Sequence, residues 1–304
     1  MDRSRIIRCM MLCLGAVVIA ASGLTEPARA DQGAAAKGAG PFYAFCMEDG
    51  VPGMQPRPVA QQAAILAALG YDGAGYMLWL DDQLDKNLAV LHRAGLKLYM
   101  AYTFLDLKNP GQPYDRRVPA AIARLKGQPA TVCVLLSGRK PGDPQAMAPA
   151  VKALRALADA AAKGGVRISI YHHTGDWTEH LSFALEVAEK VDRPNVGVNF
   201  NLCHWLMVEG RKDYRPLIRR NAGKIFTVTI CGAQAGAKTW LHGLIQPLDR
   251  GDFDNRQVLA TLRDAGYQGP IGLMCESIPD DLQAHLARSM KVWRSWQADR
   301  PSGL

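Results

Sequence analysis

The chain has no low-complexity tract, no block of Lys or Arg and, past its first thirty residues, no apolar run long enough to span a membrane. The first absence argues for a packed globule rather than a tail or linker. The second excludes the usual nucleic-acid footprint: basic residues are scattered as Arg116-Arg117, Arg139-Lys140 and Arg219-Arg220, without an aromatic-interleaved stripe. The third leaves no membrane attachment once the N-terminal segment is gone. Cysteine is also scarce and odd in number: after residue 30 only Cys46, Cys133, Cys203, Cys231 and Cys275 remain. Each falls in an apolar strand-like segment, so buried small side chains are expected rather than a disulfide framework.

What is present begins with a leader. Arg3, Arg5 and Arg8 precede an apolar run from Cys9 to about Ala21, and Ala28-Arg29-Ala30 reads as a small-residue cleavage site. This is the pattern of a secretory signal peptide over residues 1–30, with a Gly/Ala-rich flexible leader over 31–40, and it predicts a periplasmic or secreted protein. Losing Arg3, Arg5, Arg8 and Arg29 with Asp2 and Glu26 lowers the formal charge from +8 to +6, mildly basic and compatible with anionic ligands.

From residue 41 to about 300 a single rhythm holds. Apolar runs at Phe42–Met47, Gly75–Leu80, Leu96–Tyr102, Thr131–Leu136, Val166–Tyr171, Val196–Phe200, Ile225–Cys231 and Ile271–Cys275 alternate with helical patterns, among them Val59–Leu69, Pro144–Lys163 and Asn255–Ala265. Asp176 and Glu179 stand at capping-box spacing before the helix that carries Leu181, Ala184, Leu185 and Ala188. Eight strand-helix pairs without a linker predict one (β/α)8 TIM barrel. An open doubly wound sheet is the alternative. It usually stops at five or six strands, and no Gly-rich dinucleotide turn follows the first strand.

In a barrel the site is built by whatever follows each strand. Those positions hold Glu48 and Asp49; Trp79, Asp81 and Asp82; Tyr102 and Asp106; Ser137, Arg139 and Lys140; Tyr171, His172, His173 and Asp176; Asn201 and His204; Cys231 and Gln234; and Glu276. The densest group is YHHTGDW, Tyr171 to Trp177, where adjacent histidines point to opposite sides, so at most one faces the barrel axis. Glu276 is the candidate general base, with His173 or His204 as its acid or metal-binding partner. Arg139 and Lys140 suit an anionic group, and Trp79, Trp205 and Trp240 are candidates for stacking on a sugar ring. His180 and His285 fall within helices, where solvated or capping roles are expected.

The segments RISIYHHTGDW, NVGVNFNLCHW, GLIQPLDRGDFD and GPIGLMCES resemble the sugar phosphate isomerase/epimerase group of xylose-isomerase-like TIM barrels. The resemblance implies a divalent metal held by Glu, Asp, His and Glu after strands five to eight, with the two Glu residues moving protons. This chain offers Tyr171, Asn201, Cys231 or Gln234, and Glu276 in their place. Only the last matches, so the usual site is weakened or absent, while a shifted site for Mn, Zn or Mg on His173, His204 and Glu276 is the remaining metal candidate. Tyr171, His172, Asn201, Trp205, Arg139, Lys140 and Gln234 are then substrate-binding candidates.

Three functions follow as expectations. One is an exported isomerase, epimerase or lyase moving a proton next to the carbonyl of a non-phosphorylated sugar. Another is a barrel that binds carbohydrate without turnover. The third is hydrolysis by paired carboxylates such as Glu48 and Glu276.

Overall fold

The computed structural model describes residues 40–45, 57–276 and 281–298. The predicted signal peptide, all but the last residue of the leader, and Cys46, Glu48 and Asp49 lie outside them. The described residues all belong to one compact unit.

Within the described residues, eight strands close a parallel barrel in sequence order. They are β1 Phe42–Phe45, β2 Gly73–Met77, β3 Lys97–Asp106, β4 Thr131–Ser137, β5 Arg167–Tyr171, β6 Val196–Asn201, β7 Ile225–Ile230 and β8 Ile271–Met274. Closure comes from β1 pairing with β8, in register from Phe42 opposite Ile271 to Phe45 opposite Met274. The helices are α1 Val59–Leu69, α2 Asp82–Arg93, α3 Val118–Arg124, α4 Met147–Ala162, α5 Leu181–Val191, α6 Leu202–Val208, α7 Arg215–Asn221, α8 Asn255–Asp264 and α9 Leu282–Ala298. The (β/α)8 expectation holds, and no described helix is long and apolar enough to cross a membrane.

The strands form because both faces are covered: ring helices bury one side and opposing strands the other, so β-branched and apolar runs such as TVCVLLS and IFTVTI are buried along almost their whole length. α4 buries Ala150, Leu154, Leu157, Ala158 and Ala161 on one stripe, and α8 is capped by Asp254, whose side chain accepts the Arg256 N–H. Inside the barrel, residues from odd strands meet across the axis: Phe45 lies 5.6 Å from Tyr102 and 6.3 Å from Tyr171, ring centre to ring centre. This ring layer is the floor of the site.

Three expectations are corrected. β2 begins at Gly73 and ends at Met77, rather than spanning 75–80. Gly73 is required there by contact: a Cβ would stand 2.0 Å from the Lys97 carbonyl oxygen of β3. Asp176 and Glu179 do not form a capping box, because α5 starts only at Leu181 with His180 as its N-cap residue, and the Glu179 carboxylate accepts the Gly175 N–H instead. His285 is not solvated but buried in the inward face of α9, beside Leu282, Leu286 and Ser289. His180 is half exposed, with Nδ1 2.8 Å from Glu209.

The central packing is tight enough to test. At Gly272 a Cβ would lie 2.6 Å from the Tyr43 ring and 2.9 Å from Thr229, both well inside contact distance. Gly272→Ala is expected to cost about 1–3 kcal/mol of overpacking, read as a lower urea midpoint.

Candidate active site

At the C-terminal mouth three rings converge. Tyr171, the last residue of β5, lies 5.9 Å from His173 and 5.7 Å from His204, and the two imidazoles stand 4.2 Å apart, centre to centre. His204 comes from α6, the helix that follows β6 without a loop, with the Asn201 side chain capping it by accepting the Cys203 N–H. Trp240, in the segment between β7 and α8, sets its ring edge-on to His204 at 5.1 Å.

His173 is carried by the turn Thr174–Trp177, whose backbone donors are all accounted for. Thr174 N–H donates to His204 Nδ1 at 3.3 Å and Gly175 N–H to Glu179 Oε2 at 2.9 Å. Asp176 N–H donates to the His173 carbonyl at 3.0 Å and Trp177 N–H to the Leu136 carbonyl at 2.9 Å. Gly175 has φ 80°, a value that glycine alone adopts freely. The Asp176 carboxylate is buried and stands 3.1 Å from His173 Nδ1, within ion-pair distance but off the line of the N–H bond. His173 itself is one-third exposed.

Burial sets the charge state of the other two histidines. Desolvation pushes His172 down to about 3 and His204 well below the ordinary histidine value, with the nearby His173 acting in the same direction on both. Both are neutral at pH 7.

The structure separates the expected site residues into two groups. Tyr171, His173 and His204 are brought together, and Asn201 joins them by donating its Nδ2 hydrogen to the Tyr171 hydroxyl oxygen. Glu276 follows β8 by two residues and is half-buried. His172 is turned to the outer side, where its Nε2 accepts the Asn201 backbone N–H at 2.9 Å and its ring faces Phe200. That is the strand alternation acting on neighbours, and it turns His172 away from the His173–His204 pair. Trp205 is likewise buried outward, against Phe200 and Tyr214, and presents no stacking face. Trp79 packs on Tyr76 at 4.8 Å. Arg139 is tied to the Leu107 carbonyl and lies 3.6 Å from Asp143, Lys140 is exposed on the same loop, and Gln234 donates to Asp252.

The donor set does not fit the divalent metal that the resemblance implies. Asn201 points its amide nitrogen at Tyr171 and spends its oxygen on the Cys203 N–H and S–H. Cys231 gives its S–H to the Leu244 carbonyl at 3.0 Å, and Gln234 is held by Asp252. Nor does the shifted site assemble: His204 Nδ1 is occupied by Thr174, and among the described residues no three His, Cys, Asp or Glu side chains close on one point. The four described cysteines are buried, and burial raises Cys133 to about 12, far from a thiolate ligand.

Asp176 was expected among the residues after β5 and Trp240 among the stacking candidates; the structure adds their partners, His173 for Asp176 and His204 for Trp240, whose ring arrives from a segment 36 residues beyond His204.

The xylose isomerase-like TIM barrel family matches residues 63–296, and the chain belongs to that family. No curated protein matches it. Among solved structures it is similar to a D-allulose 3-epimerase from Methylomonas sp., at 14% identity and TM-score 0.66 over 85% of this chain and 98% of that one. It is similar also to an AP endonuclease, family 2, from Brucella melitensis, at 19% identity and TM-score 0.63 over 81% and 97%. A third likeness is to the IOLI protein with a binding zinc atom, at 15% identity and TM-score 0.65 over 86% and 100%. At such identities the likeness establishes the fold.

Proposed function

We propose that the chain is an exported sugar isomerase or epimerase-like enzyme that moves a proton at the carbon next to a carbonyl, with Glu276 and His173 as the proton-transferring groups and a non-phosphorylated sugar as substrate. The observation that carries this reading is the meeting of Tyr171, His173 and His204 at the barrel mouth, with a buried carboxylate behind His173. A partly exposed imidazole backed by a carboxylate is suited to proton transfer, and neutral His204 and Tyr171 are suited to hydrogen bonding with sugar oxygens. The epimerase among its structural relatives supports the sugar class. The N-terminal segment supports export, and export disfavours phosphorylated intracellular intermediates. An endonuclease-like role has less support: Arg117, Arg193, Arg215 and Arg288 each pair with an aspartate rather than forming an open basic face.

No step here requires a metal. The carbonyl is polarised by neutral donors, the base removes the adjacent proton, and the proton returns to carbon on the same or the opposite face. Proton exchange tests this directly. Incubated in D2O with ketohexoses, the protein is expected to put deuterium on the carbon beside the carbonyl, and Glu276→Gln or His173→Ala should each slow that exchange by roughly 10²–10⁴-fold.

A second reading, a barrel that binds carbohydrate without turnover, is favoured by one observation. The Asn201-Tyr171 hydrogen bond occupies the place where the family keeps two carboxylates. Saturable sugar binding with no deuterium incorporation, unchanged in Glu276→Gln, would establish it in place of the enzyme.

A further inference from the structure

The turn after β5 touches both imidazoles of the mouth, and it touches them with groups of opposite hydrogen-bonding character. A backbone N–H can only donate. Thr174 N–H stands 3.3 Å from His204 Nδ1, so that nitrogen accepts, and the proton of the neutral ring must sit on Nε2. The Thr174 hydroxyl, 3.0 Å from the same nitrogen, adds a second donor. A carboxylate can only accept. Asp176 Oδ2 stands 3.1 Å from His173 Nδ1, off the line of a hydrogen bond but close enough for its negative charge to favour the neutral tautomer with the proton on Nδ1 and the free pair on Nε2. His173 Nδ1 is buried while a third of the side chain is exposed, so its exposure lies away from Nδ1.

We propose that the Thr174–Asp176 turn fixes opposite tautomers on the neighbouring histidine pair, making His173 Nε2 an acceptor and His204 Nε2–H a donor, and that this pair takes the hydroxyl and the neighbouring carbonyl of an α-hydroxy-carbonyl sugar. Thr174 and Asp176 are positioning residues in this arrangement. The assignment rests on the proton-transfer reading above and deepens it by naming the functional group recognised. Vicinal hydroxyl and carbonyl oxygens are a donor and an acceptor side by side, and rings with centres 4.2 Å apart offer the matching acceptor and donor.

The chemistry balances without a further reactant. As the base takes the proton from the carbon beside the carbonyl, the C–H electron pair becomes the C=C bond of an enediolate and the C=O π pair moves onto oxygen. His204 Nε2–H donates to that oxygen and keeps its proton, while His173 Nε2 accepts from the hydroxyl. Reprotonation at carbon restores the carbonyl. A neutral donor aimed at a developing oxyanion contributes on the order of 10²–10³ in rate.

Nitrogen NMR of the 15N-histidine-labelled mature protein decides the tautomers without any turnover. The expected result is a protonated Nε2 and bare Nδ1 on His204, the reverse on His173, and in Asp176→Asn a loss of the His173 preference with His204 unchanged. The same tautomer on both rings, or a His173 pattern indifferent to Asp176→Asn, would overturn the proposal. Should that variant not fold, the wild-type spectrum alone decides. Adding a ketohexose is expected to shift the His204 Nε2–H resonance, and no shift up to high concentration overturns the substrate assignment. Deuterium exchange is scored separately: opposite tautomers and a sugar-induced shift without exchange would remove the enzyme reading and leave the recognition device standing.

Discussion

Lowering the pH from 7 to 5 is expected to strip about 2 kcal/mol of folding stability through His172 alone, with His204 adding to the loss in the same direction. Both rings are buried, and desolvation holds His172 down to about 3 and His204 well below its ordinary value. The unfolded chain has no such burial and takes up a proton on each near pH 6.5. Between those values the unfolded state binds more protons than the folded one, so stability rises with pH across that window and falls as acid is added. The contribution is intact above about pH 6.5. It declines by about 1.4 kcal/mol per pH unit for each ring once the unfolded form is fully protonated, and levels off for His172 near pH 3. Urea unfolding at pH 7 and pH 5 measures it. His172→Gln keeps an acceptor for the Asn201 N–H and has nothing to titrate, so it should flatten the dependence by its own share. Equal stability of the wild type at both pH values would contradict the buried, neutral state of these histidines.

The barrel was legible because parallel strands covered on both faces appear as unbroken apolar runs, and because the intervening stripes repeat at helical spacing. β2 was displaced for a reason invisible in its own residues: Gly73 and Gly75 have little strand preference, and they are in the sheet because β3 and the Tyr43 and Phe45 rings leave no room for a side chain. His285 illustrates the opposite case. It stands three residues after Leu282 and four before Ser289, on the buried face of α9, so the helical spacing already contained its position, and its polar character was the misleading cue.

At the mouth, the strand-end rule located Tyr171, His173, His204 and Asn201, and strand alternation separated His173 from His172. Asp176 was on the same strand-end list and Trp240 among the stacking candidates, but their contacts were not legible: a tight turn brings Asp176 back to His173, and Trp240, not Trp205, borders His204 from the segment between β7 and α8. That Tyr171 and Asn201 stand at the ends of β5 and β6, where the resemblance implies carboxylates, was visible in the sequence. The structure supplies the physical content of that difference, an Asn-Tyr hydrogen bond and a helix cap in place of two metal ligands.

Trp177→Ala is expected to be the most damaging single change near the site, costing about 3–5 kcal/mol. The indole is fully buried, with its ring edge-on to Phe183 at 5.0 Å. Its Nε1–H donates to the Asp143 carbonyl at 2.8 Å, its N–H to the Leu136 carbonyl at 2.9 Å, and its carbonyl accepts the Gly142 N–H at 3.0 Å. One residue thus ties the end of β4, the loop after it and the front of α5 to the turn that presents His173. The truncation leaves a cavity and removes one of the two hydrogen bonds to the Asp143 carbonyl, which keeps the Ala146 N–H, and in a domain of this size the loss corresponds to a drop of about 6–20 °C in Tm. Trp177→Phe retains most of the packing and loses only the Asp143 hydrogen bond, so it should cost about 1–2 kcal/mol. The two variants also separate stability from site geometry. If Trp177 acts by holding the turn, the phenylalanine variant keeps the Asp176-dependent tautomer of His173 and the alanine variant, assayed well below its own Tm, does not. An alanine variant as stable as the wild type would mean that the turn is held by its backbone hydrogen bonds alone.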